Sequence, residues 1–542
     1  MLREFPIGER AGGAFVIEAN GQRLRLPVRH FSSCGRHQFA DQLTLDGRPA
    51  SFDEALDWLA RHPALLAVAG EDGTQALVAR VRQSGANLAT SLAGADLDRL
   101  FGEPLSFIEA ESALLVGHSI HPCPKARDGF SDDDALAFAP EFGNDFPLHW
   151  YLVDRGHLFV SAPAGVDADA LTAEVLGEHP WSSLVDQQHA LLPCHPFQHR
   201  AWQHDPALAP LLADGRLRHL GQGERGWRAT SSVRALHHGH KPWMLKFSLS
   251  VRLTNSLRHL QPEEMVRGAE LCRVLASPPV QAFLDGHRQF NILAEPLGLG
   301  VCAKPGQVLP QTMVLWRDNP FRNGADAHTE VLATLLQDQP GTQLSRLALR
   351  LRRHGDPRAA AERWFRDYLH CTVGPLLTAQ AEYGLLFGAH QQNIVLALDN
   401  DFPVRCHFRD CQGTGYSQLA KRLYGPHVPG FAEHSANLID DEMGIKLMCY
   451  YLVVNASFNV ISSLAAADLG SEGHYLELMA DFLASLAASK PADGRVFDYL
   501  LGSDRLWAKG NFHCALGRIN ENTMADPLAL YHPLDNPLKR HD

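Results

Sequence analysis

Dense polar clusters stand at the ends of apolar segments in this chain of 542 residues, and the first of them is the segment GHSIHPCPKARDGF. It carries His118, His121 and Lys125, whose side chains can donate hydrogen bonds to anions. Pro122 and Pro124 prevent a regular helix, so we expect a shaped loop that presents these donors to an anion. The alternative is a basic turn whose histidines pair only with backbone groups.

A larger cluster lies in ATSSVRALHHGHKPWMLKFSLSVRLTNSLRHL. From Leu245 onward, apolar and polar residues alternate, which is the period of a strand. The apolar residues then face one side, and Lys246 and Arg252 lie on the other side with small hydroxyl residues. Arginine pairs with oxyanions through two donors, lysine acts as a point charge, and serine and threonine are neutral donors. The pattern favours a polyphosphate or polycarboxylate site over a solvated sheet face with a positive bias. The polar residues of this cluster are Ser231, Ser232, Arg234, Lys246, Thr254 and Arg258.

A third cluster surrounds a predicted hairpin in GLLFGAHQQNIVLALDNDFPVRCHFRDCQGTG. His390, Gln392 and Asn393 precede the first strand, and the return strand ends at Asp410. Protein kinases hold Mg²⁺ on a nucleoside triphosphate with an asparagine and a later aspartate, since Mg²⁺ prefers hard oxygen ligands. The histidine fits a general base, a transition-state donor or a structural residue, and a catalytic or substrate-contacting role is favoured.

Other segments predict less. Lys509, in LWAKGNFHCALG, by itself indicates a surface lysine, and His195, in LLPCHPFQHR, a structural histidine at a strand end. The segment GQGERG matches G-x-G-x-x-G, but no helix pattern follows it, which argues against a Rossmann dinucleotide site. The P-loop, H-E-x-x-H and G-x-S-x-G signatures are missing from the sequence.

Three regions of different composition must position these clusters, and together they predict an α+β fold. Residues 1–105 have helical patterns, such as FDEALDWLARHPALLAVAG behind an N-cap at Ser51, and predict a helical cap. Residues 106–325 contain short apolar runs separated by Gly, Pro and Asp, which predict a region that is mostly sheet. Residues 326–542 return to long helical patterns, interrupted by the hairpin.

Two segments of the last region need an interpretation of their own. The stretch IKLMCYYLVVNASFNVISSLAAADL is long enough to span a bilayer, but Lys446 and Asn455 interrupt it, which favours a central core helix. The run RLALRLRRHG resembles a phosphate patch, yet its arginines alternate with leucines at helical spacing, which favours a solvated helix face.

Composition excludes several classes of protein. The 49 Lys and Arg against 61 Asp and Glu give a formal net charge of −12, which argues against a generally basic nucleic-acid binder. Ten cysteines without any C-x-x-C spacing indicate buried free thiols in a reducing compartment. The start MLREFPIGERAGGAF has no continuous apolar run of a signal peptide, so we expect a cytoplasmic protein that does not enter the membrane.

The ordered segments GHSIHPCPK, PCHPFQ, TSSVRA, KFSLSVRLTNSLR, AHQQN, RDCQG, KGN and NPL resemble the NRPS-independent siderophore (NIS) synthetases, the family of the aerobactin and achromobactin synthetases. The resemblance implies a cupped-hand homodimer with a thumb, a β-rich fingers domain and a helical palm that carries the kinase-like hairpin. It also implies a reaction. ATP activates a carboxylate of citrate, or of a citrate-like acid, as an acyl adenylate, and an amine or alcohol then displaces AMP to give an amide or ester.

The resemblance further assigns roles to single residues. The residues that match ATP-contacting positions are His118, Lys125, Ser232, Arg234, Lys246, Gln392, Asn393 and Asp410. The residues that match acid-contacting positions are Thr254, Arg258, His390 and Lys509. Arg258, His390 and Lys246 are the implied catalytic residues, and Asn393 and Asp410 are the implied Mg²⁺ ligands.

Some positions depart from the family pattern, and other functions stay open. Ala235 replaces a usual threonine, Gly388 replaces the usual acid before AHQQN, and Ala515 stands where an arginine is usual. Two alternatives to a synthetase are a kinase-like phosphotransferase and a nonenzymatic protein that binds a polycarboxylate or a ferric chelate.

Overall fold

The computed structural model describes residues 1–253, 256–325, 327–433, 437–519 and 527–539, and it mixes helices and strands as expected for an α+β fold. Residues 8–50 form an antiparallel sheet, so the prediction of a helical cap over residues 1–105 is wrong for this part. The sheet forms because apolar residues alternate in QRLRLPVRH, where Leu24 is fully buried and packs near Trp58. The strands are Gly8–Ala11, Ala14–Ala19, Gln22–His30, Gln38–Phe39, Leu43–Leu45 and Arg48–Ala50.

Helices follow this sheet, and the first begins at the predicted N-cap. The Ser51 hydroxyl accepts a hydrogen bond from the Glu54 N–H at 3.1 Å, which satisfies a free donor of the first turn. The helices of this part are Phe52–Leu59, Pro63–Ala93, Leu97–Gly102 and Phe107–Ser112.

The middle of the chain is rich in sheet, as predicted. A six-stranded sheet has the spatial order Trp227–Ala229, Ala235–His238, Trp243–Phe247, Gln307–Asp318, Leu297–Lys304 and Leu158–Ser161. One three-stranded sheet has the order His189–Cys194, His149–Asp154 and Leu217–Gln222. A second has the order Ser256–Arg258, Leu249–Leu253 and Arg127–Asp128. The helices here are Asp132–Phe138, Ala168–Leu176, Pro196–Trp202, Ala209–Ala213, Pro262–Leu275 and Pro278–Gly286.

The strand predicted from Leu245 onward is divided at Ser248 between two of these sheets. Its first half, Trp243–Phe247, belongs to the six-stranded sheet, and its second half, Leu249–Leu253, to a three-stranded sheet. The predicted apolar face is nevertheless confirmed, since Leu245 and Val251 are fully buried in the same hydrophobic core.

The C-terminal part is mainly helical and contains the predicted hairpin. Strands Ile394–Asp399 and Phe402–Phe408 pair within a sheet whose other strands are Phe290–Ile292 and Thr329–Val331. Short ladders join Leu385–Leu386 to Gly415–Tyr416 and Arg505–Lys509 to Tyr531–Asp535. The α-helices are Leu332–Leu336, Arg346–Leu351, Pro357–Tyr368, Gly374–Tyr383, Gln418–Tyr424, Asp441–Met448, Phe458–Ala466, Glu472–Ala488, Arg495–Gly502 and Asn511–Leu516.

The predicted border between residues 325 and 326 does not separate two cores. Leu271 and Phe283, from two helices before the border, are buried in the same hydrophobic core as Trp364 and Leu396 after it. Strand Phe290–Ile292 also pairs with the C-terminal hairpin. The last helices of the middle region therefore pack as part of the C-terminal layer.

The long apolar helix of the C-terminal part is a core helix, as the sequence favours. The segment Asp441–Ala466 is apolar enough to cross a membrane, but 89% of its most hydrophobic window is buried within the protein. It runs through Cys449–Ser457 with wider π-helical turns. All ten cysteines are free, which agrees with the predicted free thiols.

Candidate active site

One cavity collects the predicted site residues from segments that lie far apart in the sequence. Its volume is about 350 Å³, and its walls come from the middle sheets and from the C-terminal helices and hairpin. Of the twelve predicted residues, Thr254 lies outside the described residues, and the other eleven all line this cavity. They are His118, Lys125, Ser232, Arg234, Lys246, Arg258, His390, Gln392, Asn393, Asp410 and Lys509.

The predicted polar floor is not one open surface. Ser248 donates a hydrogen bond to the Pro310 carbonyl at 2.6 Å, and the Ser250 hydroxyl accepts one from Gln198 at 2.9 Å. These hydroxyls are therefore occupied by protein groups, and Lys246 is the residue of this strand face that lines the cavity within the described part of the chain.

The histidine loop is shaped as expected, and both interpretations of its histidines hold in part. The ring of His118 accepts a hydrogen bond from the Ile120 N–H at 3.2 Å, and the ring of His121 accepts one from the Cys123 N–H at 3.2 Å. Both rings nevertheless line the cavity, so the backbone bonds hold them in place there. Burial, together with the charges of Lys509 and Arg258, lowers the pKa of His118 to about 4, so the ring is neutral at pH 7.

Lys125 extends from the same loop to a buried carboxylate. Its Nζ donates to the Leu114 carbonyl at 2.8 Å and lies 3.5 Å from Glu141, which also pairs with Arg127. Burial lowers the Lys125 pKa to about 8 even with Glu141 beside it. The ammonium group is therefore largely charged at pH 7 and gains from an additional anion in the cavity.

A strained turn presents Ser232 and Arg234 to the cavity. Between them, Val233 has a φ of 67°, a left-handed conformation that is costly for a β-branched residue. The Val233 N–H donates to the Thr230 carbonyl at 2.8 Å, and the Phe247 N–H donates to the Arg234 carbonyl at 2.8 Å. The neighbouring strand therefore holds the turn in this shape, which places both polar side chains on the cavity wall.

Asp410 joins the two halves of the site. Its Oδ1 accepts a hydrogen bond from Lys246 and lies 3.4 Å from Arg317, which in turn pairs with the buried Glu295 at 2.8 Å. Burial alone would raise the Asp410 pKa, but Lys246 and Arg317 hold that pKa well below its usual range. The carboxylate is therefore ionised at every pH at which the protein is expected to work.

The hairpin entrance holds His390, Gln392 and Asn393 through backbone and side-chain bonds. The Asn393 amide donates to the Gly388 carbonyl at 3.0 Å, and the Gln392 amide donates to the Ser231 hydroxyl at 3.1 Å. Burial and the neighbouring His118 lower the pKa of His390 to about 3. His390 therefore acts as a neutral imidazole.

Lys509 is not the surface lysine that its sequence context alone indicates. It ends strand Arg505–Lys509 and lines the cavity together with Arg258. Burial, together with the charge of Arg258, lowers the Lys509 pKa to about 8, and burial and Arg234 lower the pKa of Arg258 to about 10. Burial and a neighbouring positive charge make the charged forms of these two groups less stable. An anion that binds beside them stabilises the charged forms.

The cavity has a strong excess of positive charge. Eight cationic side chains line it among the described residues, against one carboxylate, Asp410. Three buried glutamates stand behind them, namely Glu111 against Arg409, Glu141 and Glu295. Eight positive charges minus four negative ones leave an excess of four, which suits a polyanionic ligand.

Sequence reasoning missed the ion pairs that support this wall. Arg317 lies in the apolar strand segment LWRD, Glu295 lies in the apolar segment LAEPLG between two strands, and Arg409 follows the apolar end of the hairpin. A charged residue within a buried apolar segment must be paired, so the apolar surroundings of these residues could have indicated the ion pairs. Tyr451 also lines the cavity, with its ring centroid 5.9 Å from that of His390.

Two family models match the chain in separate segments. The IucA / IucC family matches residues 106–337, and the family described as ferric iron reductase FhuF-like transporter matches residues 362–524.

Similar proteins cover nearly the whole chain. It is 34% identical over 537 residues to the N(2)-citryl-N(6)-acetyl-N(6)-hydroxylysine synthase of Vibrio mimicus, which covers 96% of this chain and 90% of the relative. It is 29% identical to the spermidine-citrate ligase of Bacillus anthracis, over 82% of this chain and 75% of that protein. The ATP-bound aerobactin synthetase IucA of Klebsiella pneumoniae has the same fold, with a TM-score of 0.92, 28% identity and coverage of 100% and 98%.

Proposed function

The chain belongs to the IucA/IucC family of siderophore synthetases, and on that premise we propose that it activates a carboxylate of citrate, or of a citrate-like acid, with ATP. It is an enzyme of the ligase class, as its relatives are named synthases and ligases. The observation that carries the proposal is the single cavity in which eleven predicted residues meet with four positive charges in excess.

The first step joins two anions. A carboxylate oxygen attacks the α-phosphorus of ATP, and the bond from that phosphorus to the bridging oxygen breaks, so that pyrophosphate leaves with the electron pair. Since the carboxylate is already ionised at pH 7, this step needs no base. Catalysis then depends on charge neutralisation and positioning, which Lys246, Arg234 and Arg258 supply from the cavity wall.

The residues divide between the two substrates in this proposal. Ser232, Arg234 and Lys246 hold the nucleotide on the sheet side, with His118 and Lys125 on the histidine loop and Gln392 on the hairpin. Arg258, His390 and Lys509 hold the acid, and Thr254 belongs to the same group by its resemblance to the family. Lys246 both binds the nucleotide and neutralises charge at the reacting phosphorus.

The residues present fit Mg²⁺ as a companion of the nucleotide. Lys246 and Arg317 both contact Oδ1 of Asp410, so Oδ2 can face a metal, and the Asn393 amide nitrogen is engaged by Gly388, which leaves its oxygen as a ligand. Both are hard oxygen donors. When bound, Mg²⁺ would neutralise phosphate charge, and Asp410 and Asn393 would hold it.

The second step favours an amine as the nucleophile. The names of the two relatives describe a citryl group on a nitrogen and a ligase that joins spermidine to citrate. The amine nitrogen attacks the acyl carbon, AMP leaves with the electron pair, and the nitrogen loses a proton to solvent or to a base. An alcohol would give an ester by the same route.

The finer architecture follows the family. We assign the thumb to residues 1–105, the fingers to residues 106–325 and the palm to residues 326–542, except that helices Pro262–Leu275 and Pro278–Gly286 and strand Phe290–Ile292 pack with the palm. We also propose a homodimer that works in the cytoplasm, which is consistent with ten free cysteines. Partners are then the small-molecule carboxylate and amine or alcohol substrates.

The test is a product assay with ATP, Mg²⁺, citrate and a panel of diamines, amino alcohols and diamino acids. We expect AMP and pyrophosphate, with a condensed product of the matching mass. Release of ADP would instead support a phosphotransferase. Tight binding of a ferric chelate in a titration that shows no ATP binding would support a nonenzymatic binder.

A further inference from the structure

Three histidines meet on a sheet of the middle region, outside the residues described as lining the cavity. His149 begins strand His149–Asp154, and His219 lies on the adjacent strand Leu217–Gln222. His199 comes from the helix Pro196–Trp202. One ring nitrogen from each of the three lies within 4.8 Å of the other two.

The three histidine rings already contact one another. Nδ1 of His149 lies 2.9 Å from Nε2 of His219, and the rings of His149 and His199 stack with centroids 3.8 Å apart. A β-bulge between His219 and Gly221 shifts the register of the strand pair there. Bulges often redirect a side chain near functional sites, and this one lies where His219 meets His149.

Each ring also has a partner on its other side. The Tyr151 hydroxyl lies 2.7 Å from Nδ1 of His199, and Gln222 lies 3.2 Å from Nε2 of His149. A backbone group of Gly221 forms a hydrogen bond with the His219 ring. Outer partners of this kind fix the tautomer and the ring orientation of metal-binding histidines.

We propose that His149, His199 and His219 bind a late first-row divalent metal ion, such as Zn²⁺. Imidazole nitrogens suit Zn²⁺, Ni²⁺ and Cu²⁺, and they bind Zn²⁺ at about 2.0–2.1 Å. Three such bonds in a tetrahedral arrangement place the nitrogens about 3.4 Å apart, so the His149 and His219 nitrogens, now 2.9 Å apart, must separate by about 0.5 Å, and any of the other separations that approaches 4.8 Å must shorten by about 1.4 Å. Because the rings of His149 and His199 stack nearly parallel, one of them must also rotate for both nitrogens to face the ion. His219 is exposed, so the ion enters from solvent and the fourth ligand is water.

The protonation state of the cluster suits this role. Burial and the neighbouring rings lower the pKa of His149 to about 4, and burial, His219 and Arg200 lower the pKa of His199 to about 4. Neutral rings are the form that binds metal, so protons compete little at pH 7.

The experiment uses the full-length, tag-free protein, stripped with a chelator and titrated with Zn²⁺ in buffer without citrate, ATP or phosphate. We expect one bound equivalent, with a rise in the unfolding midpoint on adding Zn²⁺. The variants His199→Gln and His219→Gln lose that equivalent, and Tyr151→Phe weakens Zn²⁺ binding by about tenfold. A Co²⁺ titration checks the coordination by its visible absorption.

The controls separate this site from the cavity and from folding. His204→Gln changes an exposed histidine in the same region and keeps full binding. Circular dichroism of each variant confirms the fold, and His219→Gln keeps ATP-dependent activity whether or not metal is added. Binding that survives in both cluster variants, or that is lost in His390→Gln instead, overturns the proposal. So does the absence of a bound equivalent in the unmodified protein.

Discussion

At the scale of single residues, His390 can contribute only as a neutral group. Burial beside His118 lowers its pKa to about 3, so it carries no charge at pH 7. We therefore expect His390→Gln, which keeps a neutral hydrogen-bonding group, to retain more adenylation activity than His390→Ala. The measurement is citrate-dependent pyrophosphate release, with circular dichroism to confirm that each variant folds. Equal rates in both variants and in the unmodified enzyme would remove His390 from the site.

Arg258 has a different part in the proposed site, where it would bring positive charge to the acid. Its guanidinium donates to the Leu253 carbonyl at 3.0 Å, which orients it on the cavity wall. We expect Arg258→Ala to lower kcat/KM for citrate by about 100-fold or more, as the loss of an oxyanion donor does elsewhere. Arg258→Lys keeps the positive charge but loses the planar pair of donors. Its kcat/KM for citrate should lie between that of Arg258→Ala and that of the unmodified enzyme. A normal kcat/KM for Arg258→Ala would contradict the assignment.

Lys509 predicts a pH dependence for binding of the acid. Its pKa is lowered to about 8 by burial and Arg258, so the ammonium charge is lost as pH rises above 8. We expect KM for citrate to rise by about tenfold between pH 7 and pH 9, since the free enzyme is then mostly uncharged at this position. Initial rates at saturating ATP give this value.

The matched control is Lys509→Arg, whose side chain stays charged over this range. Its KM for citrate should change little with pH, while the pH dependence of KM for ATP, to which Lys125 contributes, stays as in the unmodified enzyme. A citrate KM that is flat with pH in the unmodified enzyme would show that Lys509 does not hold the acid.

These residues also mark what the sequence alone can predict. Clusters with several donors in one short segment, such as that around Lys246, indicated an anion site by their composition. Lys509 stands alone in its segment, so its own context indicated a surface residue and only the family resemblance suggested otherwise. Arg317 lies on strand Gln307–Asp318 and Glu295 lies in the segment before strand Leu297–Lys304, and no local pattern indicates that tertiary pairing will bring them behind Asp410.

At the scale of elements, a buried ion network joins the early helices to the C-terminal region. Glu330 receives hydrogen bonds from Arg346 at 2.7 Å, pairs with Arg350, and accepts the Leu105 N–H at 3.2 Å. Arg346 and Arg350 are buried with Glu330, so the predicted solvated face of RLALRLRRHG is wrong for these two arginines, whereas Arg352 and Arg353 are exposed as predicted. Helix Arg346–Leu351 is as expected, but its arginines point inward because Glu330, which is distant in sequence, compensates their charge.

This network predicts a large loss of stability when its acid is removed. Glu330→Gln leaves two buried guanidinium groups without their shared carboxylate, which should lower the free energy of unfolding by about 3–5 kcal/mol. Urea unfolding followed by circular dichroism measures the change. Glu362→Gln is the control, because Glu362, on the exposed face of helix Pro357–Tyr368, pairs with Arg366 and His474, and its loss should cost at most about 1 kcal/mol. Equal effects of the two substitutions would contradict this account.

The first sheet shows why element type was mistaken there. The Ala, Leu and charge content of residues 1–105 is typical of helices, and it correctly predicted the helix behind Ser51. In strand Gln22–His30, however, Leu24, Leu26 and Val28 alternate with polar residues, which is the period of a half-buried strand. The periodicity of this segment, and not its composition, indicates a strand. One face of the sheet packs on Trp58 and the other faces solvent, which gives the alternation.

At the scale of the whole molecule, the charge of the cavity is opposite in sign to the net charge of the chain. The chain has a formal net charge of −12, yet the cavity has an excess of four positive charges among its described residues. A net negative charge argues against general binding of nucleic acid, while the cavity collects cations that suit a polyanionic ligand. No segment reveals this separation, because the cations come from segments more than 380 residues apart, from Lys125 to Lys509.

The 29 histidines make the whole molecule sensitive to acid. Burial is the main cause that lowers the pKa of eight of them to about 3 or 4, namely His118, His149, His195, His199, His237, His390, His407 and His532. In the unfolded chain these groups bind protons below about pH 6.5, whereas in the native state they do not until about pH 4. Their contribution to stability is therefore complete above pH 6.5 and is lost as pH falls towards 4.

We accordingly expect the free energy of unfolding to fall between pH 6.5 and pH 4, by about 1.4 kcal/mol per pH unit for each proton that the unfolded chain binds in excess. Urea unfolding in a pH series measures the slope. His195→Asn should make that slope shallower, because asparagine keeps the N-cap bond that His195 makes to the Phe197 N–H but does not titrate. His204→Gln, at an exposed position, should leave the slope unchanged. A stability that is equal at pH 6.5 and pH 5 would mean that the buried histidines are protonated in the native state, and His118 and His390 would then add charge to the cavity instead of acting as neutral donors.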